Sequence, residues 1–362
     1  MRVNILDVRK LLEKEKKGIL LTEEIIGNVD NITKDIQSYT HNDDIVMLKK
    51  LKRLCLVKAL TKETAEMIRN IGMYHFYKND TKKATRYISQ SLRITMEQKS
   101  YNLIVQFLAD KGLVSFYDLK YKSAQKAFKQ ALELLPYTDG LEDKTQYLLY
   151  LRTGILYWHM EDYINSYNVL CEALIYAKEI PQQGKVLLNI GANYERRELY
   201  NEALEYFNKA LKLYGEDYSI ERSSIHNSIA ELYKNIGNYE KALEHINEAF
   251  VLLESKNMSK FFIFFMTYTQ IKILQGESKD ELNRLVELIS QVNEIFMYKC
   301  FIVDGINIAV KADLEDKQIM AQYAKQITDI MDKIGKGSKT CKGELNNILS
   351  DMCLSLKVLS SN

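Results

Sequence analysis

The chain has 362 residues, of which 46% are hydrophobic and 27% are charged, and its formal net charge is only +2. A charge so near zero argues against general attraction to nucleic acid or to an anionic membrane, so any such contact has to be local. The longest apolar run, at 261–266, is too short to span a bilayer. The opening stretch MRVNILDVRKLLEKEKK is charged within its first ten residues, unlike a secretory signal. Five scattered cysteines suit free thiols in a reducing compartment, so we expect a cytoplasmic protein without a membrane partner.

The first 60 residues are predicted to be helical, with two interpretations. The stretch LTEEIIGNVDNITKDI, at 21–36, is similar to a helix-turn-helix with Gly27 at the turn. Its interval is about two residues short, and DNA phosphates would repel Asp30 and Asp35. The basic patch KKLKRL, at 49–54, spreads over more than one helix face, which is typical of a solvated face. Residues 1–60 therefore form either a three-helix bundle that serves as an output surface or a degenerate helix-turn-helix that binds DNA.

Small and aromatic residues recur at fixed offsets in NIGANYERRELYNEALEYFNKALKLY, at 189–214. Counted from Gly191, Tyr194 follows after 3 residues, Ala203 after 12, Phe207 after 16 and Ala210 after 19. This is the register of a tetratricopeptide repeat, in which two antiparallel helices place small residues where their backbones approach and an aromatic residue toward the next pair. We predict that the first helix includes 189–195 and the second 201–214.

The register recurs at intervals along the chain. Successive starts are 40, 42, 37 and 39 residues apart, which exceeds the roughly 34 residues of the ordinary repeat, so each repeat is lengthened. The earliest copy is weaker, because His75 and Ser91 replace the aromatic residue and the alanine. The five starts are Gly72, Gly112, Gly154, Gly191 and Ala230.

Both prolines, Pro136 and Pro181, fall where one helix pair is predicted to end and the next to begin. Strand signals are few, because apolar residues recur mostly at helical spacing. The predicted fold is all-α, a tetratricopeptide-repeat right-handed superhelical solenoid at 61–335 with an N-terminal helical segment at 1–60.

Beyond residue 254 the register decays, although helix pairs with turns near 276–278 and 313–316 are still predicted. The aromatic run at 261–268 indicates either core between hairpins or a dimer surface. The stretch GKGSKT, at 335–340, lacks the order G-x-x-x-x-G-K-[ST] of a phosphate-binding loop and is interpreted as a basic turn. Residues 336–362 are predicted to form a C-terminal capping helix.

The sequence offers no recognisable catalytic or metal-binding motif. The five histidines lack H-x-x-x-H spacing. His226 and His245 can face each other across a hairpin, where ordinary packing and a metal site are the alternatives. We find no C-x-x-C pair and no G-x-S-x-G elbow. We therefore predict no catalytic residue, cofactor or bound metal, and we favour binding over catalysis.

A solenoid of helix pairs has a concave groove that is lined by the first helix of each pair and suits an extended peptide. Residues two or three before the small residue, and one or four after it, are expected to face this groove. An asparagine there can bridge the N–H and C=O groups of a ligand backbone, and Arg69 and Arg152 can each bind a carboxylate with two hydrogen bonds. The predicted peptide-binding residues are Arg69, Asn70, Phe76, Asp110, Arg152, Trp158, Asn189, Asn227, Glu231 and Lys234.

The stretch LLNIGANYERRELYNEALEYFNKALKLY resembles the corresponding repeat of the Rap and NprR/PlcR-type peptide receptors of low-GC Gram-positive bacteria. The lengthened repeats and a chain near 360 residues are similar to the Rap group in particular. The resemblance covers roughly 60–330 and implies that an asparagine just before the small residue clamps a peptide backbone. Asn189 and Asn70 hold that place, and Asn227 lies one residue from it.

The resemblance implies a cytoplasmic regulatory protein of quorum-sensing type, which binds a short signalling peptide and controls a protein or DNA target through its N-terminal helices. The protein target would be a response regulator or a transcription factor. Two alternatives stay open, a passive scaffold for protein–protein interaction and a Rap-like phosphatase of a response regulator's aspartyl phosphate. For the phosphatase, Gln37 is the only glutamine in the first 58 residues, and nothing in the sequence positions it.

Overall fold

The computed structural model describes residues 5–275 except 19, 35, 37–41, 79 and 254–257, and each regular element in this part is a helix. The all-α prediction is thereby confirmed. The basic turn at 335–340, the capping helix at 336–362 and Gln37 lie outside the described residues. The α-helices are α1 Ile5–Lys16, α2 Thr22–Lys34, α3 Asn42–Val57, α4 Thr61–Tyr77, α5 Thr81–Glu97, α6 Tyr101–Tyr117, α7 Tyr121–Leu134, α8 Asp143–His159, α9 Tyr163–Tyr176, α10 Ile180–Arg196, α11 Tyr200–Tyr214, α12 Ser219–Ile236, α13 Tyr239–Leu252 and α14 Met258–Leu274, with a short 3-10 helix at Leu135–Tyr137.

Close contacts divide the chain into two compact units, Met1–Asp162 and Tyr163–Asn362. The first unit contains α1–α8, and the described part of the second contains α9–α14. The three-part division expected from the sequence, at 1–60, 61–335 and 336–362, stays a prediction.

Helix hairpins build both units. In the first unit α4 packs on α5 and α6 on α7, and in the second α10 packs on α11 and α12 on α13. The prediction for 189–214 is confirmed, because 189–195 lie in α10 and 201–214 in α11. Pro181 occupies the first turn of α10, where its missing N–H removes no helical hydrogen bond.

The small residue at the start of each register is required because the two helices of a hairpin nearly touch there. A Cβ atom added to Gly191 would overlap the ring of Phe207, and one added to Gly112 would overlap the ring of Phe128. Both rings are fully buried. In each hairpin the ring lies 16 residues after the glycine, so the offset read from the sequence is a direct packing contact.

A second contact repeats in three of the hairpins. The ring 3 positions after the start, a histidine in the first copy and a tyrosine in the other two, packs face to face with the ring 15 positions after the start, which joins the first helix to the second. Such ring pairs add specific stabilisation to the area that they bury. The pairs are His75 with Tyr87 at 5.6 Å, Tyr194 with Tyr206 at 5.4 Å and Tyr233 with His245 at 5.6 Å between ring centroids.

Four first helices end in the same turn, with one residue in the left-handed backbone region. The residue is Leu119 after α6, Glu161 after α8, Glu198 after α10 and Gly237 after α12, with φ of 59°, 62°, 60° and 87°. In each turn two backbone N–H groups close back onto carbonyls of the last helical turn, as in the Schellman motif. These bonds give the turn a fixed geometry, and the second helix then runs antiparallel to the first.

The N-terminal segment forms three helices that contact one another, and α2 and α3 also pack on α4. Gly27 lies inside α2, so the turn that a helix-turn-helix would need there is absent and that part of the interpretation is wrong. Ile25, Val29 and Ile32 form a buried stripe along α2, and this stripe outweighs the cost of about 1 kcal/mol for an interior glycine. On α3, Lys49, Lys50 and Arg53 are exposed, as expected of a solvated face.

Candidate functional site

Four of the predicted peptide-binding residues come together in the first unit, on the first helices α4, α6 and α8. Nε of Arg69 donates to Oδ2 of Asp110 at 2.6 Å, and Nη1 of Arg69 donates to Oδ1 of Asn70 at 3.0 Å. Nη1 of Arg152 lies 3.7 Å from Oδ1 of Asp110. One carboxylate thus lies between two guanidinium groups from the helices on either side.

A residue outside the prediction joins this cluster. The Asn70 side-chain amide donates to the hydroxyl oxygen of Thr33 at 2.8 Å, and Thr33 belongs to α2 of the N-terminal segment. We call Thr33, Asn70, Arg69, Asp110 and Arg152 the arginine–aspartate cluster. It connects the N-terminal helices to three successive first helices of the repeats.

Burial differs sharply within the cluster. Asn70 and Asp110 are 0% and 2% exposed and Arg69 is 7% exposed, so these three satisfy one another and stabilise the packing of α4 on α6. Removing one partner of such a buried pair leaves an uncompensated charge and costs several kcal/mol, about 3–5. The Arg152 side chain is 24% exposed. Of the two arginines expected to bind a carboxylate, only Arg152 therefore reaches solvent.

Phe76 and Trp158 are half-buried near the C-terminal ends of α4 and α8, and both take part in aromatic contacts. The Phe76 ring meets Tyr117 edge to face at 5.3 Å, and the Trp158 ring meets His159 at 5.0 Å. Tyr77, next to Phe76, has a raised pKa, because its hydroxyl is desolvated and lies near Asp110. It therefore stays protonated at neutral pH and can donate a hydrogen bond.

A second polar group lies on the first helices of the second unit. Thr267 on α14 donates to Oε1 of Glu231 at 3.1 Å, and Lys234 bonds to the side-chain oxygen of Gln270. Both pairs bridge α12 and α14, so Glu231 and Lys234 lie on one face of α12.

Glu195 extends this face onto α10. Nδ2 of Asn235 donates to its Oε1 at 2.9 Å. Burial raises the pKa of Glu195 to about 8, with the charge of Glu231 as the next cause. Glu195 is therefore mostly protonated at neutral pH.

The predicted asparagine clamps differ from one another. Asn189 is partly exposed, and its Nδ2 donates to the Lys185 carbonyl of its own helix at 2.7 Å. Asn227 is only 6% exposed, and its Oδ1 lacks a hydrogen-bond partner in the described part of the chain. Asn193, which the register did not single out, also has a buried Oδ1 without a partner, although its Nδ2 donates to the Tyr163 carbonyl at 2.8 Å.

A simple rule would have found several of the missed residues. Bonded partners on successive first helices are separated by about one repeat, 41 residues for Arg69 with Asp110 and 36 for Glu231 with Thr267. Extending this spacing past residue 254, where the small and aromatic residues no longer mark the register, leads to Thr267 and Gln270. Thr33 carries no such signal, because it precedes the repeats.

His226 and His245 face each other across the α12–α13 hairpin, as the sequence suggested, with their Nδ1 atoms 3.1 Å apart. Burial lowers the pKa of both rings, and for His226 the charge of His245 lowers it further. The neutral pair can share one hydrogen bond. In the part of the chain that the structure covers, no three His, Cys, Asp or Glu side chains are grouped so as to hold a metal ion.

None of the described helices is long and apolar enough to cross a membrane.

The sequence profile of the tetratricopeptide-repeat family matches residues 182–255, and three solved structures share the architecture of the chain. The chain adopts the tetratricopeptide-repeat fold. The apo form of RapI aligns with a TM-score of 0.59 and 15% identity, over 94% of this chain and 97% of that chain. A Rap protein complexed with competence and sporulation factor aligns with a TM-score of 0.57 and 14% identity, over 94% and 99%.

The third structure, a tetratricopeptide repeat protein from Parabacteroides merdae, aligns with a TM-score of 0.55 and 14% identity, over 78% of this chain and 98% of that chain. No curated protein matches the sequence. At these identities the likeness concerns the fold alone.

Proposed function

We propose that the chain is a cytoplasmic peptide-binding regulatory protein of quorum-sensing type. It binds a short signalling peptide along the first helices of its repeats and acts on a response regulator or a transcription factor through residues 1–60. Tetratricopeptide repeats present first-helix surfaces that suit extended peptides. The Rap protein that shares the fold was solved with competence and sporulation factor, which supports a peptide as the ligand.

The observation that carries the proposal is the arginine–aspartate cluster. Successive hydrogen bonds join Thr33 of α2 to Asn70, Asn70 to Arg69 and Arg69 to Asp110 of α6. Each bond is buried or partly buried, where an unmade bond is costly. A ligand on the first helices therefore has a direct route by which to change how α2 packs.

The mechanism is a population shift. The N-terminal helices have two arrangements on α4, and the peptide favours one of them because it binds that arrangement more tightly. A peptide group that contacts Arg152 draws this side chain toward or away from Asp110 and so alters the hydrogen bonds that Arg69 can make with Asp110. Asn70 and Thr33 then respond in turn, which changes the surface that residues 1–60 offer to the target.

The first test is thermal melting combined with hydrogen exchange on the purified chain, with and without short synthetic peptides. We expect one peptide to raise the melting temperature and to change amide exchange in α2 as well as in the first helices. Asn189→Ala should weaken the melting shift if the asparagine clamps the peptide. A peptide that binds without any change of exchange in α2 would instead support the passive scaffold.

A matched pair of variants tests the route. Thr33→Val removes the hydroxyl that accepts from Asn70 and should leave peptide binding within a few fold while reducing the exchange response of α2. Thr81→Val is the control, because its hydroxyl bonds Asp118 at 2.9 Å and has no part in the cluster. Equal α2 responses in the two variants would show that the signal does not pass through Thr33.

A further inference from the structure

Arg152 has more hydrogen-bonding capacity than its surroundings use. A guanidinium group has five N–H donors and no acceptor. The nearest carboxylate oxygen, Oδ1 of Asp110, is 3.7 Å away, which is beyond hydrogen-bond distance. Among the described residues, Arg152 therefore makes no hydrogen bond. Its N–H donors are thus available to a further acceptor.

The charge balance of the arginine–aspartate cluster leads to the same conclusion. Two arginines share a single aspartate, and the short contact of 2.6 Å belongs to Arg69. Tyr77 adds no negative charge at neutral pH, because its pKa is raised. Within the arginine–aspartate cluster one positive charge is therefore in excess, and it lies on Arg152, whose side chain is 24% exposed.

Arg152 is placed to receive a ligand, whereas Arg69 is not. The Arg69 side chain is 8% exposed and is fixed by Asp110 and Asn70. Asp110 holds Arg152 from one side, and a partly desolvated charge binds an anion more strongly than a fully solvated one does. The planar guanidinium matches a carboxylate through two parallel hydrogen bonds, which a lysine cannot reproduce.

We propose that Arg152 is a carboxylate-binding residue of the peptide site and that the peptide presents either its C-terminal carboxylate or an Asp or Glu side chain to it. The inference rests on the proposed function and makes it more specific, because it requires a ligand with a carboxylate in the part that contacts the first unit. Asp110 acts as a positioning residue that orients the guanidinium.

The experiment begins with a synthetic pentapeptide library that is incubated with the full chain and passed through a gel-filtration column, after which mass spectrometry identifies the retained peptides. The strongest binder is then prepared in three forms, with a free C-terminus, with a C-terminal amide, and with each Asp or Glu replaced by Asn or Gln. Affinities of all forms are measured by calorimetry for the unsubstituted chain, Arg152→Gln and Arg152→Lys.

We expect one neutralised form of the peptide to bind the unsubstituted chain 10- to 100-fold more weakly, since a charge-assisted bidentate bond is lost. Arg152→Gln should bind the free acid with a similar loss and should no longer distinguish the acid from that neutralised form. Arg152→Lys should recover only part of the affinity. Loss on amidation identifies the C-terminal carboxylate, and loss on side-chain replacement identifies an acidic residue.

The controls separate the two proposals. Arg93→Gln removes an exposed arginine from α5 and should leave all affinities unchanged, which excludes a general effect of net charge. If peptides are retained but the unsubstituted chain and Arg152→Gln respond equally to neutralisation, the role of Arg152 is overturned while peptide binding stands. If no peptide is retained by a chain that is folded by circular dichroism, both proposals fail.

Discussion

At the residue scale, Gly191 shows how tightly one offset of the repeat is determined. Its missing side chain makes room for Phe207, and an added Cβ atom would overlap that ring. Gly191→Ala should destabilise the chain, because overpacking costs about 1–3 kcal/mol and the better helix propensity of alanine returns at most about 1 kcal/mol. Gly27→Ala is the matched control, because a Cβ atom there meets nothing within 4 Å, and it should stabilise α2. Urea denaturation measures both changes, and equal effects would contradict the packing argument.

Glu66 on α4 makes stability depend on pH through a single buried carboxyl group. It is 7% exposed, and its Oε2 has no hydrogen-bond partner among the described residues. Burial, as the largest cause, raises its pKa from 4.5 to about 7. Between these two values the folded chain holds a proton that the unfolded chain releases, so the contribution of Glu66 to folding improves as the pH falls from about 7 to 4.5.

Glu66→Gln replaces the group by a neutral one of the same shape. We expect the variant to be more stable than the unsubstituted chain at pH 8, by about 2–3 kcal/mol at most, and this advantage should shrink progressively toward pH 5. Denaturant melts across this range measure it. Glu133→Gln, at an exposed position on α7, should give a difference that is small and nearly independent of pH. A constant effect of Glu66→Gln over the whole range would contradict the raised pKa.

At the element scale, the turns between the helices of a hairpin share a geometry without sharing a residue type. Gly237 takes a left-handed backbone without cost, whereas Leu119 and Glu198 adopt nearly the same φ with a side chain. A non-glycine residue in this region costs about 1–2 kcal/mol. The hydrogen bonds that close the turn, from Glu198 N to Glu195 O and from Leu199 N to Tyr194 O, hold the conformation in place.

Glu198→Gly should therefore stabilise the α10–α11 hairpin by about 1 kcal/mol, and Gly237→Ala should destabilise the α12–α13 hairpin by a similar amount. The control is Glu202→Gly, which also replaces an exposed glutamate, but in the first turn of α11, where the change should destabilise because it adds a glycine to the helix and removes a negative charge from its N-terminus. The signs of the three changes in chemical denaturation check the geometry. A stabilising Glu202→Gly would indicate that the loss of a glutamate charge, rather than the turn, is responsible.

At the scale of the whole molecule, the hairpins were more predictable than the site because they depend on local spacing. The offset from Gly191 to Phe207 is a contact inside one hairpin, so it leaves a periodic trace in the sequence. The burial of Asn70 depends on Thr33, which lies 37 residues earlier in a helix outside the repeats. Leu119 and Glu198 also escape prediction, because hydrogen bonds rather than residue type impose their turns. The register thus placed Arg69, Asn70 and Asp110 on first helices correctly, but it did not show that they bind one another.

The bond between Thr33 and Asn70 couples the N-terminal helices to the repeats, and a double-mutant cycle measures it without any ligand. Thr33→Val and Asn70→Leu should each destabilise the chain, but the double variant should lose less than the two changes together, by about 0.5–1.5 kcal/mol, the usual worth of one hydrogen bond. Asn102 bonds the backbone of Asp139 elsewhere in the first unit, so Thr33→Val combined with Asn102→Leu should be additive. Additivity in both cycles would mean that α2 rests on α4 through apolar contacts alone. The N-terminal helices would then lack the polar connection by which a bound peptide is proposed to act on them.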